Sequence, residues 1–263
     1  MKIVKIRLVL IFGVIGILIN SMPVNAQDII AHRGASYLAP ENTIASVNRG
    51  FELAGAVEID IHLTKDNKIV VIHDHTTTRT APGSNFTINN TISDSLRTLD
   101  VGSWKNPTYK GEQIPFLEEV FKVVPNDKTL VIEVKGDTSI LPYLKDAVEK
   151  SDKKDQFMLI SFNKDAVIQW KEIMPQMPVL WLLHSFDQYP LREAIRIAKE
   201  NNLDGLNVFH QLVTPQFMQT MKGAKLKVYA YTVNKKEIAL KLQALKVDGI
   251  TTDRPQYLQK TLQ

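Results

Sequence analysis

Four short segments of this 263-residue chain hold polar side chains of the types and spacing that catalysis needs. His32-Arg33-Gly34 follows the apolar run Ile29-Ile30-Ala31. An imidazole can carry a proton near neutral pH. A guanidinium presents a rigid fork of donors suited to phosphate, and a glycine lets the backbone turn close against a ligand. Glu58-Ile59-Asp60-Ile61-His62 has strand alternation, so Glu58 and Asp60 share one face. Two carboxylates on an inward face repel and are costly to desolvate, and a hard cation bound by their oxygens relieves both; a solvated face is the plainer alternative. His73-Asp74 follows Val70-Val71-Ile72 and offers a second proton carrier, or simply the polar end of a hairpin. Glu133-Val134-Lys135 follows Leu130-Val131-Ile132 and adds a third carboxylate with an ammonium on the same face. That ammonium could neutralise a phosphate oxygen or a departing oxyanion, although the pair taken alone reads as an ordinary ion pair at a strand end. Each segment has a plain explanation by itself. Together they place two histidines, three carboxylates, an arginine and a lysine at the ends of early strands, which suits metal-assisted phosphoryl chemistry.

The elements that must carry these groups alternate along the chain. Strand patterns fall at 28–31, 56–63, 129–134, 157–161, 179–183, 205–208, 226–232 and 249–252, with 69–72 as an extra hairpin arm. Helical spacing falls at 43–54, 116–124, 141–150, 164–173, 191–201, 215–221, 235–245 and 256–262, with Asn42 or Thr43 as the first cap and Asn42 read chiefly in that role. Eight strand–helix units predict an α/β fold, a TIM-type (β/α)8 barrel, whose active groups sit where strands end. An open doubly wound sheet is disfavoured because no glycine-rich dinucleotide loop follows the first strand. Residues 75–115 are rich in Thr, Asn, Ser and Gly and break the rhythm, so they read as an irregular insertion after the second-strand hairpin. The Asp-Gly pairs at 204–205 and 248–249 each precede a short strand, as two units of one barrel would.

The first 26 residues read differently. Lys2, Lys5 and Arg7 precede an uncharged apolar run over 8–19, and Val24-Asn25-Ala26 supplies small residues near a cleavage point. This is the layout of a secretory signal peptide, with a mature chain from about Gln27 to residue 263 that is exported to the periplasm or secreted. The apolar run is short against the ~20 residues of a membrane span, so no stable span is expected after cleavage, an uncleaved anchor being the alternative. Losing three cations takes the formal charge from +4 to +1, which argues against nucleic acid as a partner. Hydrophobic residues at 44% and charged residues at 23% exclude a disordered chain. The absence of cysteine excludes disulfides, thiolate metal sites and cysteine nucleophiles.

The ordered set His32-Arg33-Gly34, Pro40-Glu41-Asn42-Thr43, Glu58-Ile59-Asp60, Leu63-Thr64-Lys65-Asp66, His73-Asp74, Arg79-Thr80, Glu133-Val134-Lys135, Thr232-Val233-Asn234 and Thr251-Thr252-Asp253-Arg254-Pro255 resembles the glycerophosphodiester phosphodiesterase family over essentially the whole mature chain. The resemblance implies one divalent ion, calcium or magnesium, held by Glu58, Asp60 and Glu133. It implies His32 and His73 as the acid–base pair, and Arg33 and Lys135 on the phosphate. Glu41 would lie on the substrate side, orienting His32 or a water, and Asp253 would tie the closing strand to its loop. The implied reaction releases glycerol 3-phosphate and an alcohol, with the substrate's own 2-hydroxyl attacking through a cyclic phosphate. The chain departs from the family at Asn67, at Thr76-Thr77-Thr78, at Phe116 and at Tyr231, which bears on substrate fit more than on reaction type. Two other readings stand beside this one: a phosphodiesterase of a larger lipid or teichoic-acid substrate, and a non-catalytic barrel that only binds. Trp181 and Phe209 are expected to pack rather than to touch ligand.

Overall fold

The computed structural model describes residues 28–262, so the expected signal segment 1–26 lies outside the described residues. The strands are β1 (Asp28–Ala31), β2 (Ala56–Leu63), β3 (Ile69–Val71), β4 (Thr129–Val134), β5 (Phe157–Ser161), β6 (Val179–Leu183), β7 (Gly205–Phe209), β8 (Lys227–Tyr231) and β9 (Gly249–Thr252). All but β3 pair in parallel, in the order β1-β9-β8-β7-β6-β5-β4-β2, and β1 also pairs β2, which closes a (β/α)8 barrel. β3 lies antiparallel on β2 as the outer hairpin arm, turned by Asn67 at φ 60°. The outer ring is α1 (Ile44–Leu53), α3 (Leu117–Val123), α4 (Leu141–Lys150), α5 (Lys164–Ile173), α6 (Leu191–Glu200), α7 (Pro215–Ala224), α8 (Lys236–Ala244) and α9 (Pro255–Leu262).

Strand alternation builds two apolar cores. One face of each strand packs on the helices through residues such as Val57, Ile59, Ile132 and Val208. The other face fills the barrel with Ile30, Val131, Met158, Ile160, Leu180, Leu182 and Tyr229. Gly249 is required beneath that ring, since a Cβ there would stand 2.5 Å from the Tyr229 ring carbons. The registers Asp60↔Glu133, Glu133↔Ile160 and Ile160↔Leu180 put the two acids in this inward set, above the apolar floor. Asp204 and Asp248 play matching roles in their units: each carboxylate accepts a backbone N–H at the start of a neighbouring strand, that of Val179, the first residue of β6, or Val228, the second of β8, at 2.8 Å.

Two local expectations are corrected. Thr43, not Asn42, caps α1, in a reciprocal pair with Ser46. Residues 75–115 are also less irregular than their composition suggests. They contain the 3₁₀ turns Ile88–Asn90 and Pro107–Tyr109 and the short helix α2 (Ser93–Arg97). Ala81, Ile88, Leu96, Val101 and Ile114 form a small core of their own with Val70 and Ile72. Pieces this short carry no readable periodicity. The segment leans on the loop after β1, where Lys105 Nζ donates to the Ser36 carbonyl at 2.8 Å and the Tyr109 hydroxyl to that of Leu38 at 3.1 Å.

Candidate active site

The chain leaves β1 through two left-handed residues, Arg33 at φ 53° and Gly34 at φ 78°. This turn aims the Arg33 backbone N–H at Glu58 Oε2, 2.8 Å away. A Cβ on Gly34 would sit 2.4 Å from the Ser46 carbonyl carbon. Gly34→Ala therefore combines backbone strain with a backbone clash and is expected to cost about 2–5 kcal/mol. Denaturant unfolding of the purified variant measures it, and a loss below half a kcal/mol would mean that the turn is not constrained.

Glu58, Asp60 and Glu133 converge at the top of the barrel, each buried, with one oxygen from each within 4.8 Å of the others. Glu58 Oε1 and Asp60 Oδ1 are buried without a hydrogen-bond partner among the described residues. Orphaned oxygens in a cluster of three anions are what a hard divalent cation requires, and the residues fit one. Burial pushes the Glu58 and Glu133 carboxyls above the ordinary carboxylate range, and the Asp60 charge beside both pushes them further. Burial also acts upward on Asp60, but Arg33 and Lys135 outweigh it and hold this carboxyl low. Lys135 Nζ lies 2.7 Å from Glu133 and 3.5 Å from Asp60, and Arg33 Nε lies 3.4 Å from Asp60.

Asn42 belongs to this site rather than to the helix cap. Its backbone is left-handed at φ 57°. Its amide donates to Asp60 Oδ2 at 2.8 Å, while its side-chain oxygen accepts the Asp60 N–H at 3.1 Å. Asn42→Gly keeps that backbone accessible and removes the clamp, so ion affinity is expected to fall about 10–100-fold. Calorimetric titration with calcium and magnesium reads this directly, and unchanged affinity would make Asn42 a turn residue only.

Each histidine is paired with an aspartate. His32 Nδ1 lies 2.6 Å from Asp253 Oδ1, across almost the whole sequence. Asp253 is fixed in turn by the Asn234 amide at 2.5 Å and the Ser36 hydroxyl at 3.1 Å. His73 Nδ1 lies 2.6 Å from Asp74 Oδ1, and Arg79 Nε donates to Asp74 Oδ2 at 2.7 Å. With a carboxylate on Nδ1, that nitrogen keeps its proton and Nε2 is the nitrogen left without one in the neutral ring. The two rings are tuned in opposite directions. Burial acts downward on His32, but Asp253 and Glu58 together raise it, whereas burial lowers His73 with the help of Arg33. Divergent titration of two such groups is what an acid–base pair needs.

Glu41 does not orient His32. It accepts from Arg33 at 2.9 Å and from both terminal nitrogens of Arg79, at 2.7 and 2.8 Å. Through Arg79 it thus links Arg33 to the His73–Asp74 pair. Asp253, expected to tie the closing strand to its own loop, accepts through one oxygen from Asn234 in the loop after β8, and its other oxygen pairs with His32. Trp181 is wholly buried, as expected. Phe209 stands at the rim, with its ring 4.7 Å from that of His184. Arg79 carried a sequence signal only as a family residue without assigned work, while Asn42 and Asp253 were read as a helix cap and a strand-to-loop tie. Three cavities lie among the described residues. One of about 530 Å³ is bounded by His62, His73, Lys135 and Asn89, and one of about 340 Å³ farther out by Arg97 and Tyr109. A third, of about 330 Å³, opens beside His32, Arg33, Trp104 and Asp253.

Comparison with known proteins agrees with this geometry. Residues 32–257 match the model of the glycerophosphoryl diester phosphodiesterase family. A glycerophosphodiester phosphodiesterase of Caldanaerobacter subterraneus subsp. tengcongensis is 34% identical over 236 residues, covering 88% of this chain and 95% of the relative. A phosphodiesterase structure from Oleispira antarctica, in complex with the product sn-glycerol-3-phosphate, superposes with a TM-score of 0.82 at 29% identity, over 89% of this chain and 96% of that one. A glycerophosphodiester phosphodiesterase structure from Parabacteroides distasonis superposes with a TM-score of 0.75 at 27% identity, over 90% and 97%. With its closed barrel, acidic triad and paired histidines, this chain belongs to the glycerophosphoryl diester phosphodiesterase family.

Proposed function

We propose that the enzyme is exported and hydrolyses glycerophosphodiesters to glycerol 3-phosphate and an alcohol, with His32 and His73 as its acid–base pair and calcium or magnesium as its ion. The observation that carries this reading is the buried triad Glu58, Asp60 and Glu133, in which Glu58 Oε1 and Asp60 Oδ1 accept no hydrogen bond among the described residues, together with two histidine–aspartate pairs. The triad would hold the ion, which supplies charge to polarise the phosphate oxygens. Arg33 and Lys135 border the same space and bind the phosphate. One histidine removes a proton from the attacking hydroxyl and the other returns one to the departing alcohol oxygen. The attacking hydroxyl is the substrate's own 2-hydroxyl, held next to phosphorus so that a cyclic phosphate forms as the alcohol leaves. Water then opens that ring with the histidine roles reversed.

Incubating the purified protein with glycerophosphocholine, with and without a chelator, tests the reading. Release of choline and glycerol 3-phosphate that stops on chelation supports it, and ion-independent release would remove its basis. Phosphorus NMR at early times should show the cyclic phosphate, and its absence under single turnover would make water the direct nucleophile. Export rests on the N-terminal sequence. Among the described residues no helix is long and apolar enough to cross a membrane. Sequencing the mature protein should give a start near Gln27, and an intact Met1 on the cell-associated protein would oppose export.

A further inference from the structure

Arg79 belongs to the inserted segment, yet both edges of its guanidinium reach the site. One edge grips Asp74: Nε donates to Oδ2 at 2.7 Å and Nη2 to Oδ1 at 3.1 Å. The other grips Glu41: Nη1 donates to Oε2 at 2.7 Å and Nη2 to Oε1 at 2.8 Å. Both carboxylates pass the constraint on. Asp74 Oδ1 also lies 2.6 Å from His73 Nδ1, and Glu41 Oε1 also accepts from Arg33 Nη1 at 2.9 Å. Arg79 heads the groups that hold the Asp74 carboxyl below its ordinary range. Burial acts upward on Glu41, but Arg79 and Arg33 outweigh it. The backbone beneath Arg79 is a closed turn. Thr77, wholly buried, donates its N–H to the Phe86 carbonyl at 3.0 Å and accepts the Phe86 N–H on Oγ1 at 3.1 Å. Its carbonyl accepts the Ala81 N–H at 2.8 Å. The turn presents a planar fork, which can serve two carboxylates at once where an ammonium cannot.

We infer that Arg79 is a positioning residue: one edge fixes the His73–Asp74 pair, and the other, through Glu41, sets Arg33. The inference rests on the phosphodiesterase reading and gives the inserted segment a part in it. A lone exposed ion pair is worth little. Here the Glu41 side chain is only 11% exposed, each carboxylate takes two charged hydrogen bonds from the fork, and each is also bound to a group that acts on substrate. The two edges serve different steps. Asp74 governs the direction and tautomer of His73, and hence proton transfer. Glu41 governs where the Arg33 fork stands, and hence the hold on phosphate.

Steady-state kinetics on glycerophosphocholine separates the two edges. Asp74→Asn should lower kcat about 10–100-fold with KM nearly unchanged. Glu41→Gln should raise KM and the inhibition constant of glycerol 3-phosphate about tenfold, with a smaller change in kcat. Arg79→Lys keeps the charge, loses the fork and should show both effects. Added to Asp74→Asn it should lower kcat no further, and added to Glu41→Gln it should raise KM no further. In Arg79→Ala, guanidinium ion should restore about tenfold in kcat and urea none, since only the cation offers the charged fork. Arg79→Lys, the milder change, carries the test should Arg79→Ala not fold. Ring-nitrogen NMR, detected through carbon-bound protons, reads the first edge without turnover. Neutral His73 should carry its proton on Nδ1 in the parent and partly on Nε2 in the Arg79 variants, while His32, paired with Asp253, keeps its tautomer. Unchanged kinetics in the Arg79 variants, with or without a lower melting temperature, overturns the inference, as does a His73 tautomer that ignores the substitutions. A parent protein that hydrolyses no glycerophosphodiester sinks the catalytic reading instead, and the tautomers with glycerol 3-phosphate titration then decide on Arg79 alone.

Discussion

Replacing Glu58 with glutamine, or withdrawing divalent ions, is expected to lower turnover of glycerophosphocholine by about 10³-fold or more. Positive charge at a transferring phosphoryl group is worth several kcal/mol of transition-state stabilisation, and each ~1.4 kcal/mol is tenfold in rate. Glu58→Gln keeps the shape and removes one anionic oxygen. Its consequences without substrate have opposite signs, and that makes the prediction specific. In the ion-free protein three buried carboxylates crowd one another, so neutralising Glu58 should leave the melting temperature equal or higher. Added calcium or magnesium should raise the melting temperature of the parent protein and fail to raise that of the variant. The pH dependence follows from the same groups. Folded Glu58 and Glu133 have raised pKa values, so around neutral pH the folded chain holds protons that the unfolded chain has released. Ion-free stability contributed by these groups is therefore present at acid pH and is lost as pH rises through their folded values. Ion affinity has the reverse slope and grows over that range, because binding expels those protons. Thermal melts across pH, with chelator and with saturating ion, decide the matter. Parallel curves in the two conditions would show that the triad does not hold the ion.

The second large effect belongs to the histidines. His32→Ala and His73→Ala should each lower kcat about 10²–10⁴-fold, as expected for loss of a general acid or base. The double variant should cost little more than the worse single one, because each transfer needs both partners. Binding of glycerol 3-phosphate should change far less than kcat, since Arg33 and Lys135 remain. Steady-state rates together with product inhibition constants separate the two quantities. A tenfold or smaller loss at either position would mark that ring as a structural partner of its aspartate.

The comparison of sequence with structure is sharpest at single residues. Glu58 and Asp60 were legible as one-face neighbours because strand alternation is local, and Glu133 because its strand has the same pattern. The His73–Asp74 pair was legible as adjacent residues. The His32–Asp253 pair was not, since 221 positions separate its members and only barrel closure, with β1 beside β9, brings them together. Asn42 carried a true local signal, a polar residue before a helix, that pointed to the wrong task. Capping was already satisfied by Thr43, which freed the neighbouring amide for Asp60. Glu41 was read, from the family resemblance, toward His32 or a water. Arg33 and Arg79 compete for the same carboxylate with charge, and they prevail.

By itself, then, the order of amino acids determined the alternation of strands and helices, the inward face of each strand, and which functional groups reach the open end of the barrel. Those follow from periodicity and side-chain chemistry within a few residues. The tertiary structure alone decided that Asp253 serves His32 and that two arginines share Glu41. Such pairings depend on the stagger at which eight strands close and on the direction each side chain takes across the opening, and neither is encoded in any local stretch of the chain.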